Sequence, residues 1–345
     1  MKYLLRKTLN SLTLLSVLAV LFFGSNQALA TSTSSSLNNV VFGDSETTGQ
    51  TQTPGIQDVT NTDHFYGSNR YETAALISQR GWSRSDTVVL VRGDEFTDAI
   101  AAVPLAHKLD APMLVNGSDV LNDETKQEIE RLGAKEVIII GGYLSINQDV
   151  EQQIKALGVA VDRINGSTRY DTAKIIAEQL GNNHDEAIVI NVNAFTDGIA
   201  IAPYAAREGI PILFTEKDYI PKETKDILDQ VKSTTVLGGY LVISDDILRQ
   251  MPAPNQIAGA TVYSTTDMVI KLFNSSRNQA YVVSRDSFAD GMTASVLAAK
   301  NDESIIFSNA NQLLDVPRQT MNLFDNITII GGPFSPDLVE EIRNR

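Results

Sequence analysis

The chain has 345 residues, no Cys, three His and one Trp, and its 28 basic residues face 42 acidic ones for a formal net charge of −14. A chain this acidic is repelled by nucleic acid and by acidic membrane surfaces, and without Cys it has neither disulfide staples nor thiolate chemistry. Its fold must rest on an apolar core alone.

In chain order, Lys2, Arg6 and Lys7 precede an apolar run from Leu14 to Phe23, broken only by Ser16, and Ala28 and Ala30 supply small residues for cleavage. This pattern predicts a secretory signal peptide over 1–30. The run is too short to cross a bilayer, so no membrane span is expected in the mature chain. Cleavage would remove three positive charges and no acid, so the mature chain is more acidic still. The next segment, 31–60, is rich in Ser, Thr, Gln, Asn and Gly, and reads as a flexible low-complexity spacer.

Everything after it repeats. "GSNRYETA" (Gly67–Ala74) returns as "GSTRYDTA" (Gly166–Ala173) and, more altered, as "GATVYSTT" (Gly259–Thr266). Phe96, Phe195 and Phe288 each open a Phe-(Thr/Ala)-Asp triplet, with spacings of 99 and 93 residues. Gly141, Gly238 and Gly331 each begin a Gly-Gly pair, with spacings of 97 and 93. These landmarks divide the chain into units at 61–160, 161–257 and 258–345.

Within the first unit the pattern predicts a helix over Tyr71–Gln79, a strand over Thr87–Val91 and a small-residue helix over Ala99–His107 capped by Thr97 or Asp98. A short strand at Met113–Val115 follows, then a helix over Asp123–Leu132 ended by Gly133. Val137–Ile140 is a continuous apolar strand, buried on both faces. Ser145 and Gln148 suggest a capping box for a third helix, and Ala160–Ile164 is the last strand. Alternating strands and helices predict an α/β fold with a mostly parallel sheet in each unit.

No catalytic set emerges. His64, His107 and His184 occupy unrelated positions of the repeat, none has zinc-ligand spacing, and there is no Gly-x-Ser-x-Gly elbow. No metal or cofactor is expected. The paired glycines lack a full phosphate-binding fingerprint and read as tight turns. Asp98, Asp197 and Asp290 each open a helix, either as caps or as polar groups presented at the carboxyl edge of the sheet. Arg70–Tyr71 and Arg169–Tyr170 pair a bidentate donor with a flat ring. They read either as a pocket for phosphate or sugar, or as a salt bridge to the repeated Asp of a neighbouring unit with the Tyr filling a seam. The third copy has Val262 in place of the arginine.

From Asn61 to Arg345 the chain resembles the cell wall binding repeat 2 family, which Gram-positive surface proteins and autolysins carry in tandem triplets. The resemblance rests on Gly67–Arg70–Tyr71–Thr73–Ala74, Phe96–Thr97–Asp98, Ala111–Pro112 with Met113–Leu114–Val115, and Ile140–Gly141–Gly142, recurring in order. It implies three Rossmann-like or Toprim-like modules packed as a triangular pseudo-trimer. It also implies a secreted, non-catalytic protein of a Gram-positive wall, held by an anionic polymer of teichoic-acid type; an accessory modifier of an autolysin, with a wall hydrolase as partner, is the alternative reading. An apolar triplet is implicated in binding in that family. Here it reads Met113–Leu114–Val115, Ile212–Leu213–Phe214 and Ile305–Ile306–Phe307, which composition alone makes buried strands. The alternatives are a phosphoester-processing enzyme using the repeated Asp and Arg, although a paired Asp-x-Asp is missing, and a solute-binding module with one cleft between two units.

Overall fold

The computed structural model describes residues 64–181, 184–273, 276–332 and 334–345. The expected signal peptide and the 31–60 segment lie outside them.

The chain opens with β1 (His64–Phe65), α1 (Arg70–Gly81), β2 (Thr87–Arg92), α2 (Thr97–Lys108), β3 (Met113–Asn116), α3 (Asp123–Leu132), β4 (Glu136–Ile140) and α4 (Gln148–Ala156). The second round is β5 (Ala160–Ile164), α5 (Arg169–Leu180), β6 (Glu186–Asn191), α6 (Phe195–Glu208), β7 (Ile212–Thr215), α7 (Lys222–Leu228), β8 (Ser233–Leu237) and α8 (Asp245–Leu248). The third is β9 (Pro254–Ile257), α9 (Val262–Phe273), β10 (Gln279–Ser284), α10 (Phe288–Lys300), β11 (Ser304–Ser308), α11 (Asp315–Met321), β12 (Asn326–Ile330) and α12 (Pro336–Arg343).

Three four-stranded sheets result, all with parallel pairings: β3-β2-β4-β5, β7-β6-β8-β9 and β11-β10-β12-β1. The fourth strand of each sheet is the one that leads into the next copy of the Gly-x-x-(Arg/Val)-Tyr phrase. In the third sheet that place is taken by β1, which leads into the first copy of the phrase, with His64 paired to Ile329 and Phe65 to Ile330. The N-terminal strand thus closes the ring.

The helices follow the same cyclic rule. α2, α6 and α10 pack on one another, while α5 packs on α2, α9 on α6 and α1 on α10. The inner helices are rich in small residues because their backbones approach closely. A Cβ on Gly198 of α6 would sit 2.9 Å from Ile100 of α2. At the head of the three helices the rings of Phe96, Phe195 and Phe288 form a triangle, with centroids 5.6, 6.0 and 6.0 Å apart. Each such aromatic pair contributes about 0.5–1.5 kcal/mol beyond area burial. The expected triangular α/β architecture is the observed one.

Local signals mostly set the element ends. α3 stops at Gly133, which takes the left-handed conformation at φ 65°. α4 differs from expectation. Its cap is Asn147, whose side chain accepts from Val150 N at 3.0 Å. Gln148 is already the first helical residue, so it cannot serve as the third-position partner of a box begun at Ser145.

Candidate functional site

The repeated phrase is first of all a capping device. Asn69, Thr168 and Thr261 cap α1, α5 and α9, accepting from Glu72 N, Asp171 N and Ser264 N. One turn on, Thr73, Thr172 and Thr265 accept from the backbone N–H of Gly67, Gly166 and Gly259 at 3.0–3.1 Å. Those glycines are needed because a Cβ at any of them would overlap the first helical turn. Glu72 and Asp171 accept from the backbone N–H of Ser68 and Ser167. The arginine has no part in this device. The third copy keeps the Gly, the cap and the Thr with Val262 in the arginine's place.

Both arginines are exposed at the start of their helices. Arg70 Nη1 donates to the Gly93 carbonyl. Arg169 makes no hydrogen bond or ion pair among the described residues. The tyrosines turn inward instead. Tyr71 and Tyr170 pack against the core. The Tyr170 hydroxyl donates to Glu216, and burial, with that carboxylate, pushes its pKa up to about 12.

The three aspartates do not cap their helices. No side-chain capping bond is made at the starts of α2, α6 or α10. Each carboxylate leans instead on the Gly-Gly turn of its own repeat. The first glycines have φ of 102°, 111° and 83°, and a Cβ on Gly141 would lie 2.9 Å from Asp98 Oδ2. A Cβ on Gly331 would overlap the Asp290 carboxyl outright, and one on Gly238 would lie 3.7 Å from Asp197 Oδ2. The glycines therefore serve a tight turn and a close approach, as the sequence suggests. Burial raises all three carboxyls to about 6. Glu95 adds to the rise at Asp98, while Ser287, donating at 2.6 Å, opposes it at Asp290. Asp98 Oδ1 is buried without a hydrogen-bond partner.

The arginines face these carboxyls across the seams between repeats. Arg169 of the second repeat lowers the pKa of Asp98 of the first, and Arg70 of the first lowers that of Asp290 of the third. Val262 stands at the equivalent place in the third repeat, and Asp197 of the second has no cation acting on it. The couples are looser than an ion pair: none closes to 4.0 Å among the described residues.

A further threefold set was not apparent from sequence. The fourth strand of each sheet clamps the first glycine's carbonyl with a different side chain: Arg163 to Gly141 at 2.8 Å, Gln256 to Gly238 at 2.9 Å and His64 to Gly331 at 3.0 Å. Three unlike residues do one job, so no repeat motif marks it. The apolar triplets Met113–Leu114–Val115, Ile212–Leu213–Phe214 and Ile305–Ile306–Phe307 are strand interiors, none more than 2% exposed.

The profile of cell wall binding domain 2 (CWB2) matches residues 64–151, 163–248 and 256–335, and each match holds three consecutive strands of one sheet, β2–β4, β6–β8 and β10–β12. The chain belongs to the CWB2 family. It is 36% identical over 283 residues to the N-acetylmuramoyl-L-alanine amidase LytC of Bacillus subtilis, covering 81% of this chain and 56% of that one. It is 39% identical over 249 residues to the amidase enhancer of the same organism, covering 71% of this chain and 34% of that one. It thus spans about half or less of the length of these relatives. Among solved structures, Cwp6 from Clostridium difficile superposes with a TM-score of 0.75 at 30% identity, covering 81% of this chain and 47% of that one. Cwp8 from the same organism gives 0.74 at 25%, covering 81% and 51%. The chain is thus an array of three CWB2 repeats.

Proposed function

We propose that the chain is a secreted, non-catalytic attachment protein of a Gram-positive surface that holds an anionic wall polymer of teichoic-acid type. Arg70 and Arg169 are the groups that meet the anion. The observation that carries this reading is the third copy of the phrase, which keeps its cap and its Thr tie without the arginine. The arginine is therefore not needed to build the helix start, and an exposed guanidinium outside that device suits phosphate recognition. The acidity of the whole chain opposes such binding, so the attraction must be local and salt-sensitive. The buried triplets shape the sheets and are too enclosed to meet a polymer. Tyr71, Tyr170, Asp98, Asp197 and Asp290 support the seams from within.

A wall hydrolase as a second partner is favoured by one observation, the match to an amidase enhancer. Non-catalytic attachment is supported by the placement of the repeated carboxyls, each set against its own repeat's turn.

The test is co-sedimentation of the purified protein with isolated Gram-positive walls, before and after acid extraction of phosphodiester-linked polymers. Binding that disappears on extraction is the expected result. Equal binding to extracted walls would refute the anionic-polymer reading.

A further inference from the structure

The three seams differ in what they bring to the surface. The turn after the Gly-Gly pair carries Tyr143–Leu144 in the first repeat and Tyr240–Leu241 in the second, all more than half exposed. In the third repeat Phe334 occupies this region, but it packs on the core and meets the His64 ring edge-on at 5.9 Å. β1, which closes the ring, thus sets a ring against Phe334.

The cations are distributed differently. The first glycine of each turn donates to the strand end that leads into one of these helices, Gly141 to Ile164 O, Gly331 to Phe65 O and Gly238 to Ile257 O, so α5 with Arg169 starts beside the first turn, α1 with Arg70 beside the third and α9 with Val262 beside the second. Among the described residues, only the seam between repeats one and two combines an open aromatic turn with an arginine. The seam between two and three has the turn without the cation. The seam between three and one has the cation beside the inward-packed Phe334, and there Arg70 is already tied to Gly93.

The first seam is also the best organised. Arg163 lies over the Tyr143 ring at 4.3 Å, is paired with Glu151 at 3.0 Å and donates to Gly141 O. Its charge is committed, so its task is to hold the turn and back one face of the ring, leaving Tyr143 56% exposed. The uncommitted charge is Arg169. An exposed tyrosine face held rigid beside a free guanidinium suits a sugar ring stacked next to an acidic link.

We propose that the seam between the first and second repeats is the principal binding site, and that it takes a phosphodiester-linked glycan, with the phosphate on Arg169 and an adjoining sugar ring on Tyr143. This rests on the wall-polymer reading above and makes it specific to one seam and to a sugar-bearing polymer.

The test is the dissociation constant on intact walls for the wild-type protein and for Arg169→Ala, Tyr143→Ala, Arg70→Ala and Tyr240→Ala. All four side chains lie outside the core or at exposed helix starts, and melting temperatures confirm folding. Arg169→Ala and Tyr143→Ala are each expected to weaken binding about tenfold, and the other two by less than about threefold. Wild-type protein that ignores intact walls would sink the wall-polymer reading itself. Wild-type protein that binds, with Arg70→Ala as damaging as Arg169→Ala or Tyr240→Ala as damaging as Tyr143→Ala, would overturn only the ranking of the seams. Unchanged binding by Tyr143→Ala would overturn the sugar contact.

Discussion

Gly331 and Asp290 are sterically matched across the third repeat: the space a Cβ would fill at Gly331 is taken by the Asp290 carboxyl. The glycine also holds φ at 83°, a conformation that strains any side chain. Gly331→Ala is therefore expected to destabilise the chain by about 2–4 kcal/mol, from backbone strain and overlap together. Gly332→Ala, with nothing near its Cβ position, is the control and should leave the melting temperature unchanged. Thermal denaturation of the two variants checks this.

The buried aspartates set a pH dependence. Burial lifts Asp98, Asp197 and Asp290 from the ordinary 3.8 to about 6 when folded. Between those values the folded chain holds more protons than the unfolded one, so this contribution to stability falls as pH rises through the window. Above it, the cost of the buried charges is fully present. Paired carboxylates such as Glu151, held low by Lys155 and Arg163, act in the opposite sense, losing stability as pH falls below the ordinary 4.5. Asp197 is the clearest case, since no cation offsets its burial. Asp197→Asn should stabilise the chain at pH 7.5 by on the order of 1–3 kcal/mol, with the gain vanishing near pH 4. Urea denaturation at both pH values reads the difference.

The second seam can be completed. Val262→Arg would place a guanidinium across from Asp197, beside the exposed Tyr240–Leu241 turn. The helix start is capped by Thr261 whatever stands at 262, so the fold should tolerate the change. Wall binding is expected to tighten by about threefold or more, through a second combined site on one molecule. Binding curves on intact walls at fixed ionic strength measure it.

Ring closure by β1 has its own signature. Deleting the chain through Tyr66 uncovers the β12 edge and leaves the Gly331 N–H without its bond to Phe65 O at 3.0 Å. Amide exchange at Gly331 should accelerate strongly while Gly141, bonded to Ile164 O, keeps its protection. The melting temperature should fall by several degrees.

The architecture was largely legible in the sequence because its signals are local or repeated. Apolar runs such as Val137–Ile140 mark strands, Gly133 marks a helix end, and recurrence of Phe96, Phe195 and Phe288 marks the threefold frame. What escaped depends on distance or on unlike residues sharing a place. β1 has two residues and a partner strand at the far end of the chain, so no local pattern announces it. Arg163, Gln256 and His64 share a task without sharing a chemistry. The aspartates look like caps because Asp in a first helical turn often is one, but here each side chain leans on a glycine turn more than forty residues further along the chain. The pairing of Arg169 with Asp98 and of Arg70 with Asp290 follows from the cyclic order of the repeats, which appears only when the ring is closed.

Two exposed arginines that take no part in the helix-start device, Arg70 and Arg169, are proposed to hold the wall polymer. The most direct measurement is the affinity of the Arg70→Ala, Arg169→Ala double variant for intact walls, read beside its melting temperature. The expected result is an unchanged melting temperature and binding weakened by about ten- to thirtyfold, most of it from the loss of Arg169. A folded double variant that binds walls as tightly as the wild type would contradict the account.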